Sequence, residues 1–303
     1  MIRNPKWKRD EVQWFNLQEL GWGVQRDIRA AFGVDSRLIS KAAGAAGSAT
    51  LMLQLPAGWS LSQPSEEATL EFLVIEGDLS VEGERHGAGG FIAISPGCGT
   101  VELASAGGAQ VLLFYNPELT AAHCYGGQLH TAKTWSTDWT PFIQAADQRH
   151  GLMYKSLRVP DVTSGHVHGG PGGMLRLVLI LPGYTSPEHE YHEESWEELI
   201  FLSGDLVMPN RGVGYAGTVL GNPAGIEHGP YATQRSSVMV CHGLNPQPTA
   251  YTSLPGSQEA MAHYLDTESL FDRTLETQRW SDRPGELAAM HERACPDDPH
   301  TRP

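Results

Sequence analysis

The stretch LPGYTSPEHEYHEESWEELIFLSGDL, residues 181–206, can be laid on an earlier one, LPAGWSLSQPSEEATLEFLVIEGDL, residues 55–79. Both open on Leu-Pro, carry a Glu on an apolar run and close on Gly-Asp-Leu. The match continues downstream, because Gly77 to Pro96 is 19 positions and Gly204 to Pro223 is also 19. Equal spacing over that distance identifies an internal duplication. Each copy is a series of short apolar runs, such as TLMLQL, LEFLVI, GGFIAI and AQVLLFY between about Ser48 and Pro117, separated by Gly, Pro, Ser and Asn clusters. The rhythm returns from about Gly172 to Pro246. Such spacing is that of an all-β sandwich or barrel. The copies differ in one place: Pro56 to Glu71 spans 15 positions and Pro182 to Glu198 spans 16, so the second copy holds one extra residue.

That second copy also gathers chemistry the first lacks. HEYHEESWEE, residues 189–198, packs two His and five carboxylates between apolar runs, and GNPAGIEH, residues 221–228, brings a further His. A charged surface loop would not predict the second segment. Imidazole and carboxylate together suit a first-row divalent ion. Strand alternation puts Glu190 and His192 on one face and His189 on the other. A β-bulge at the extra residue would instead turn His189 and His192 the same way. Glu198, one step after Glu197, points away from the ligand face, and Glu71 is its counterpart in the first copy.

These residues resemble the cupins. Gly183, five residues, His189, then His192, four residues, Glu197, six residues and Gly204 is similar to the first cupin motif with one residue inserted between its histidines; Pro223, Gly225 and His228 are similar to the second. The resemblance covers both halves of residues 36–250. It implies two tandem cupin (double-stranded β-helix, jelly-roll) barrels with one metal site, for which it selects His189, His192, Glu197 and His228, with Glu190 as the rival first ligand. In the first copy Ser62 or Gln63, Ser65, Leu70 and Val101 occupy the matching positions and cannot hold a divalent ion. The expected organisation is an arm (1–35), a ligand-free cupin barrel (36–120), a linker (121–155), a metal-binding cupin barrel (156–250) and a partly helical C-terminal tail (251–303).

Other polar residues carry weaker expectations. Arg176 either meets a substrate carboxylate inside the barrel or faces solvent from its strand. His242 shares a face with Val238 and Val240, where it either approaches the metal pocket or is a core histidine. Tyr191 and Trp196 flank the ligands and either line a substrate pocket or pack the core. His166 and His168 are placed in a Gly-rich loop, and His123, Cys124 and His130 in the linker.

Whole-chain quantities narrow the function. The 303 residues carry a formal charge of −14 and a pI near 5.3. No basic stripe exists for a nucleic acid or an anionic membrane. The opening residues lack a signal-peptide core, no apolar run reaches spanning length, and the four Cys are scattered, so a soluble cytoplasmic protein with reduced thiols is expected. The likeness to metal cupins implies a metal-dependent enzyme, first an Fe(II) dioxygenase on a small diketone, hydroxyketone or phenolic ketone. Zn, Mn, Ni or Cu are the other ions considered. Redox-neutral lyase, decarboxylase or isomerase chemistry is the second reading, and a non-catalytic sensor the third. The C-terminal half resembles the cupin of zinc-binding anti-sigma factors, but their HxxxCxxC region has no match. The expected partners are a small-molecule substrate and other copies of the chain.

Overall fold

A computed structural model describes residues 12–23, 31–41, 47–64, 68–141, 151–161, 167–186, 188–193, 195–208, 211–233, 235–244 and 247–253. They form almost nothing but β-strands, in a nine-stranded and a ten-stranded sheet that curl into two barrels, with a three-stranded sheet beside the second. The expected all-β architecture is therefore present. The helical tail falls outside the described residues.

The duplication is visible strand by strand. In the first barrel, the long strand Thr69–Val81 runs between Gly90–Ile94 and Ala109–Asn116; in the second, Glu197–Met208 runs between Thr218–Asn222 and Ser237–Gly243. Registers correspond too, since Glu71 faces Phe114 and Glu198 faces His242. Both long strands break register at the same place, between Val74 and Glu76 and between Phe201 and Ser203. A glycine follows each break, Gly77 at φ +76° and Gly204 at φ +81°, and a Cβ there would lie 2.1 Å from Gly108 O or 1.7 Å from Ser236 O. Only glycine fits the bend at that closeness of backbones.

Alternation along these strands sorts residues between two cores. Leu70, Phe72 and Val74 fill the first barrel, whereas Leu73 and Ile75 face the other way and join Phe91, Leu112 and Phe114 against Leu175, Leu177, Ile200, Leu202 and Val240 of the second barrel. Both faces of each long strand are thus buried. At roughly 1.5–3 kcal/mol for each large apolar side chain buried, this shared core is the main force holding the barrels together.

Charged groups sit inside it. Glu71 accepts from Arg158 Nε (2.7 Å) and Nη2 (2.5 Å), Tyr125 OH (2.7 Å) and Asn116 Nδ2 (2.8 Å). Arg158 Nη1 donates to the carbonyls of Gly172, Met174 and Gly243 in the second unit. Glu198, the counterpart of Glu71, does point away from the ligand face, but into this core, where Thr50 Oγ1 donates to it at 2.7 Å.

Segments read as connectors also join the sheets. Gln13–Asn16, in the expected N-terminal arm, pairs with Thr218–Asn222 of the second barrel. Leu129–Lys133, from the expected linker, pairs with the first barrel, and Leu152–Ser156, which crosses the expected boundary at 155, pairs with the second. Gln247–Ser253 crosses the expected boundary at 250 and pairs with Glu188–His192.

Candidate metal centre

The ligand segment Glu188–His192 pairs with Gln247–Ser253 in unbroken register. No bulge lies between His189 and His192. The extra residue falls earlier: Ser186 pairs with Tyr231 and Glu190 bridges His228, so four steps on one side oppose three on the other. A bulge therefore exists, but it aligns Glu190 and His192 with the barrel interior rather than His189.

Two backbone bonds clamp the downstream loop against this segment, Glu190 N to His228 O and His228 N to Glu190 O, both 2.9 Å, and Gly225 N donates to His192 O at 2.7 Å. They explain why the Pro-x-Gly-x-x-His segment delivers its imidazole here. The long strand supplies Glu197 across from Asn222. His192, Glu197 and His228 are all buried, with one ligand atom from each lying within 4.8 Å of the others. His228 Nε2 is 3.2 Å from Glu197 Oε2 and 3.4 Å from Glu190 Oε1, and His192 Nε2 is 3.6 Å from Glu197 Oε1.

Hydrogen bonds behind the cluster orient it. His228 Nδ1 lies 3.1 Å from Ile226 O, which only accepts, so Nδ1 carries a proton and the ring turns Nε2 toward the two carboxylates. Cys241 donates its thiol proton to Glu197 Oε1 at 3.3 Å, and Asn222 Nδ2 donates to Oε2 at 3.4 Å. Reading the sequence did not single out Cys241 or Asn222. Their signal was strand pairing, since Asn222 lies opposite Glu197 and Cys241 opposite Leu199.

The groups of the cluster act strongly on one another. Burial alone would push the Glu197 carboxyl up, yet the two imidazoles hold it well below the usual range, and His228 beside Glu190 lowers that carboxyl too. Burial would lower His228, but hydrogen bonds that its imidazole donates to Glu190 and Glu197 push it up to about 10. The buried His192–Glu197–His228 group, two imidazoles and one carboxylate, is a donor set that suits a divalent ion. Among the described residues no other such group of His, Cys, Asp and Glu occurs. Gln63, Leu70 and Val101 occupy the matching places in the first barrel, while Ser65 is outside the described residues.

The remaining expected site residues are elsewhere. His189 is not brought to the cluster; its Nδ1 is 3.8 Å from Glu227 Oε2 on the other face. Arg176 is neither solvent-facing nor available to a substrate carboxylate, because it is buried, paired through Nε and Nη2 with Asp161 (2.7 and 2.5 Å), and stacked over Tyr154. His242 does not approach the metal pocket. It lies on the interface face, 3.4 Å from Glu198 Oε2 and edge-on to Phe114 and Trp196. Trp196 packs against the shared core, and Tyr191 sits half-buried on the face opposite Glu190 and His192. His123 is half-buried, Cys124 is buried and His130 stacks on Tyr125; His166 and the His168 side chain lie outside the described residues.

A protein of Nostoc punctiforme PCC 73102 described as a candidate dioxygenase matches with a TM-score of 0.61 at 15% identity, over 83% of this chain and 88% of its own. A Pseudomonas aeruginosa protein described as glyoxylate-induced matches at 0.51 and 13%, over 73% and 81%. A Cupin 2 conserved barrel domain protein of Leptotrichia buccalis matches at 0.47 and 12%, over 78% and 97%. The fold is the cupin fold, present twice. No family profile matches the chain, and no curated protein matches it. Among the described residues of this bicupin architecture, the second barrel joins the strand Glu188–His192 to the loop of the second motif through an imidazole and carboxylates.

Proposed function

We propose that this bicupin is a mononuclear metal-dependent enzyme, and that with Fe(II) it is a dioxygenase acting on a small oxygenated organic molecule such as a diketone, hydroxyketone or phenolic ketone. The observation that carries the proposal is the buried His192–Glu197–His228 trio, a two-His, one-carboxylate set. An ion held there supplies Lewis acidity and, as iron, neighbouring positions for substrate and O₂. His192, Glu197 and His228 hold it. Ile226 O fixes the donor nitrogen of His228, while Cys241 and Asn222 keep the Glu197 carboxylate from rotating. The fold shared with the Nostoc protein supports the oxygen-using variant of the reading.

Elemental analysis of protein purified without added metal should give one divalent ion per chain, and Glu197→Gln should remove most of it while the far-UV circular dichroism is retained. Oxygen uptake is then screened with diketones and phenolic ketones. A metal-loaded protein that converts these compounds without consuming oxygen would replace the dioxygenase reading with the redox-neutral one. A folded protein that holds no metal would end both.

A further inference from the structure

The three residues of the metal centre sit at one end of the second barrel. His192 closes the strand Glu188–His192, Glu197 opens Glu197–Met208, and His228 lies shortly before Tyr231–Ala232. A fourth segment reaches the same end. Glu197–Met208 leaves the centre, bends at Gly204 and comes back antiparallel to Tyr231–Ala232, with Val207 opposite Ala232. Met208 is therefore level with Tyr231, and the turn that follows it extends in the direction of His228. That turn carries Arg211, whose N–H donates to Met208 O at 2.8 Å before Gly212 pairs with Met208.

Arg211 stands apart from Arg85, Arg158 and Arg176, each of which pairs with a carboxylate, and from Arg37, which lies over the Trp22 ring. Among the described residues no carboxylate pairs with it. Its Nη1 is buried without a hydrogen-bond partner, and burial lowers its pKa below the ordinary arginine value. The chain has 35 acidic residues against 21 Lys and Arg, so a half-buried arginine without a countercharge calls for a reason. A second donor on the same wall is left unpaired. Ser186, opposite Tyr231, is 2% exposed, and its hydroxyl has no partner among the described residues. Tyr231 packs in the barrel interior with Tyr184, Phe201 and Met208, so Ser186 faces inward as well. Two unmet donors on one wall suit a ligand with several oxygen atoms, one group of which is charged.

We infer that Arg211 is a specificity-determining residue that holds a carboxylate of the substrate, so that the site takes a diketone, hydroxyketone or phenolic ketone bearing an acid group in preference to its neutral counterpart. The inference rests on the metal-dependent reading above and narrows its substrate class. A guanidinium fork matches a carboxylate, and partial burial strengthens the attraction relative to bulk water. The ketone end is left for the metal centre.

The test uses the full chain loaded with Co(II), whose visible absorption reports a diketone entering the coordination sphere. The probes are acetylacetone extended by a terminal carboxylate and the methyl ester of the same compound. Both bind through the same diketone oxygens, so the ratio of their affinities within one protein cancels changes in metal content. The native protein should prefer the acid by roughly tenfold or more, the worth of a hydrogen bond to a charged group. Arg211→Gln and Arg211→Ala should each bring that preference below about threefold, and Arg211→Lys, which keeps the charge but not the fork, should fall between. A native protein that binds the ester as tightly as the acid, or a Gln or Ala variant that keeps the native preference, would overturn the inference and leave the metal centre standing. A Co(II) spectrum that neither probe changes would overturn it as well. A native chain that binds no Co(II) would overturn the metal centre itself. Should one variant fail to fold, the other decides, and the native ratio alone is enough to refute the role of Arg211.

Discussion

Replacing Glu71 by Gln should be among the most damaging single changes outside the metal centre. The carboxylate is fully buried and accepts four hydrogen bonds, two of them from an Arg158 that is itself 1% exposed. An amide of the same size keeps one acceptor oxygen and turns the other into a donor facing donors. Arg158 is then a buried charge without a countercharge, although its three carbonyl partners remain. Breaking such a pair costs about 3–5 kcal/mol. Against a total stability of about 5–15 kcal/mol this is a large share. Equilibrium urea unfolding followed by tryptophan fluorescence should show the loss as a lower midpoint at unchanged slope. The double variant Glu71→Leu with Arg158→Met should lose less than Glu71→Gln alone, because it removes both charges together. The pH dependence has a definite sign. Burial would raise the Glu71 carboxyl, but Arg158 lowers it below its ordinary value, so its stabilising effect is complete above the unfolded carboxylate pKa of about 4.3 and disappears as pH falls through the lower folded value. Part of the native acid destabilisation below about pH 4.3 should therefore be absent in Glu71→Gln. A single-variant cost under about 1 kcal/mol, or a double variant no better than the single, would refute the account of this pair.

Three further changes probe the second barrel. His192→Ala should lower metal affinity by roughly 100-fold or more while His189→Ala changes it less than about threefold, as read by competition with a chromophoric chelator; equal losses would put His189 back among the ligands. Cys241→Val, which removes the thiol donor to Glu197, should weaken metal binding by about 10-fold, and Cys241→Ser should restore most of it. Arg176→Ala should cost about 3–5 kcal/mol in urea unfolding by stranding the buried Asp161, with metal stoichiometry unchanged.

The fold was legible because a duplicated pattern repeats its turn glycines as well as its apolar runs: Gly77 and Gly204 mark one backbone bend in two copies, and no side chain could take their place. The pairings of Gln13–Asn16 and Leu129–Lys133 were not legible, since a strand that crosses to a distant sheet leaves no local sign of its partner. Burial on both faces was hidden for a related reason. Glu198 and His242 occupy outward positions of their barrel, and only the docking of the first barrel turns outward into interior. Arg176 misled in the same way, because its countercharge Asp161 comes from a loop 15 residues away rather than from a neighbouring strand.

Whether His189 or Glu190 faces the cluster depends on where one residue is inserted. Counting between Pro182 and Glu198 reveals that the second copy is longer by one, but composition alone cannot say whether the surplus lies before Glu190 or after it. The partner strand decides, because its backbone fixes two register points, Ser186 opposite Tyr231 and Glu190 opposite His228, and the surplus must fall between them. From Glu190 onward the segment is regular, so the period of two carries Glu190 and His192 inward and leaves His189 and Tyr191 outward. A slip of one residue would exchange those pairs and turn His192 away from Glu197. Deleting a residue between Ser186 and Glu190 should therefore lower metal affinity far more than the same deletion in a surface turn, because it breaks the register that brings Glu190 and His228 together; a deletion that leaves Co(II) affinity intact would show that the bulge does not set the ligand.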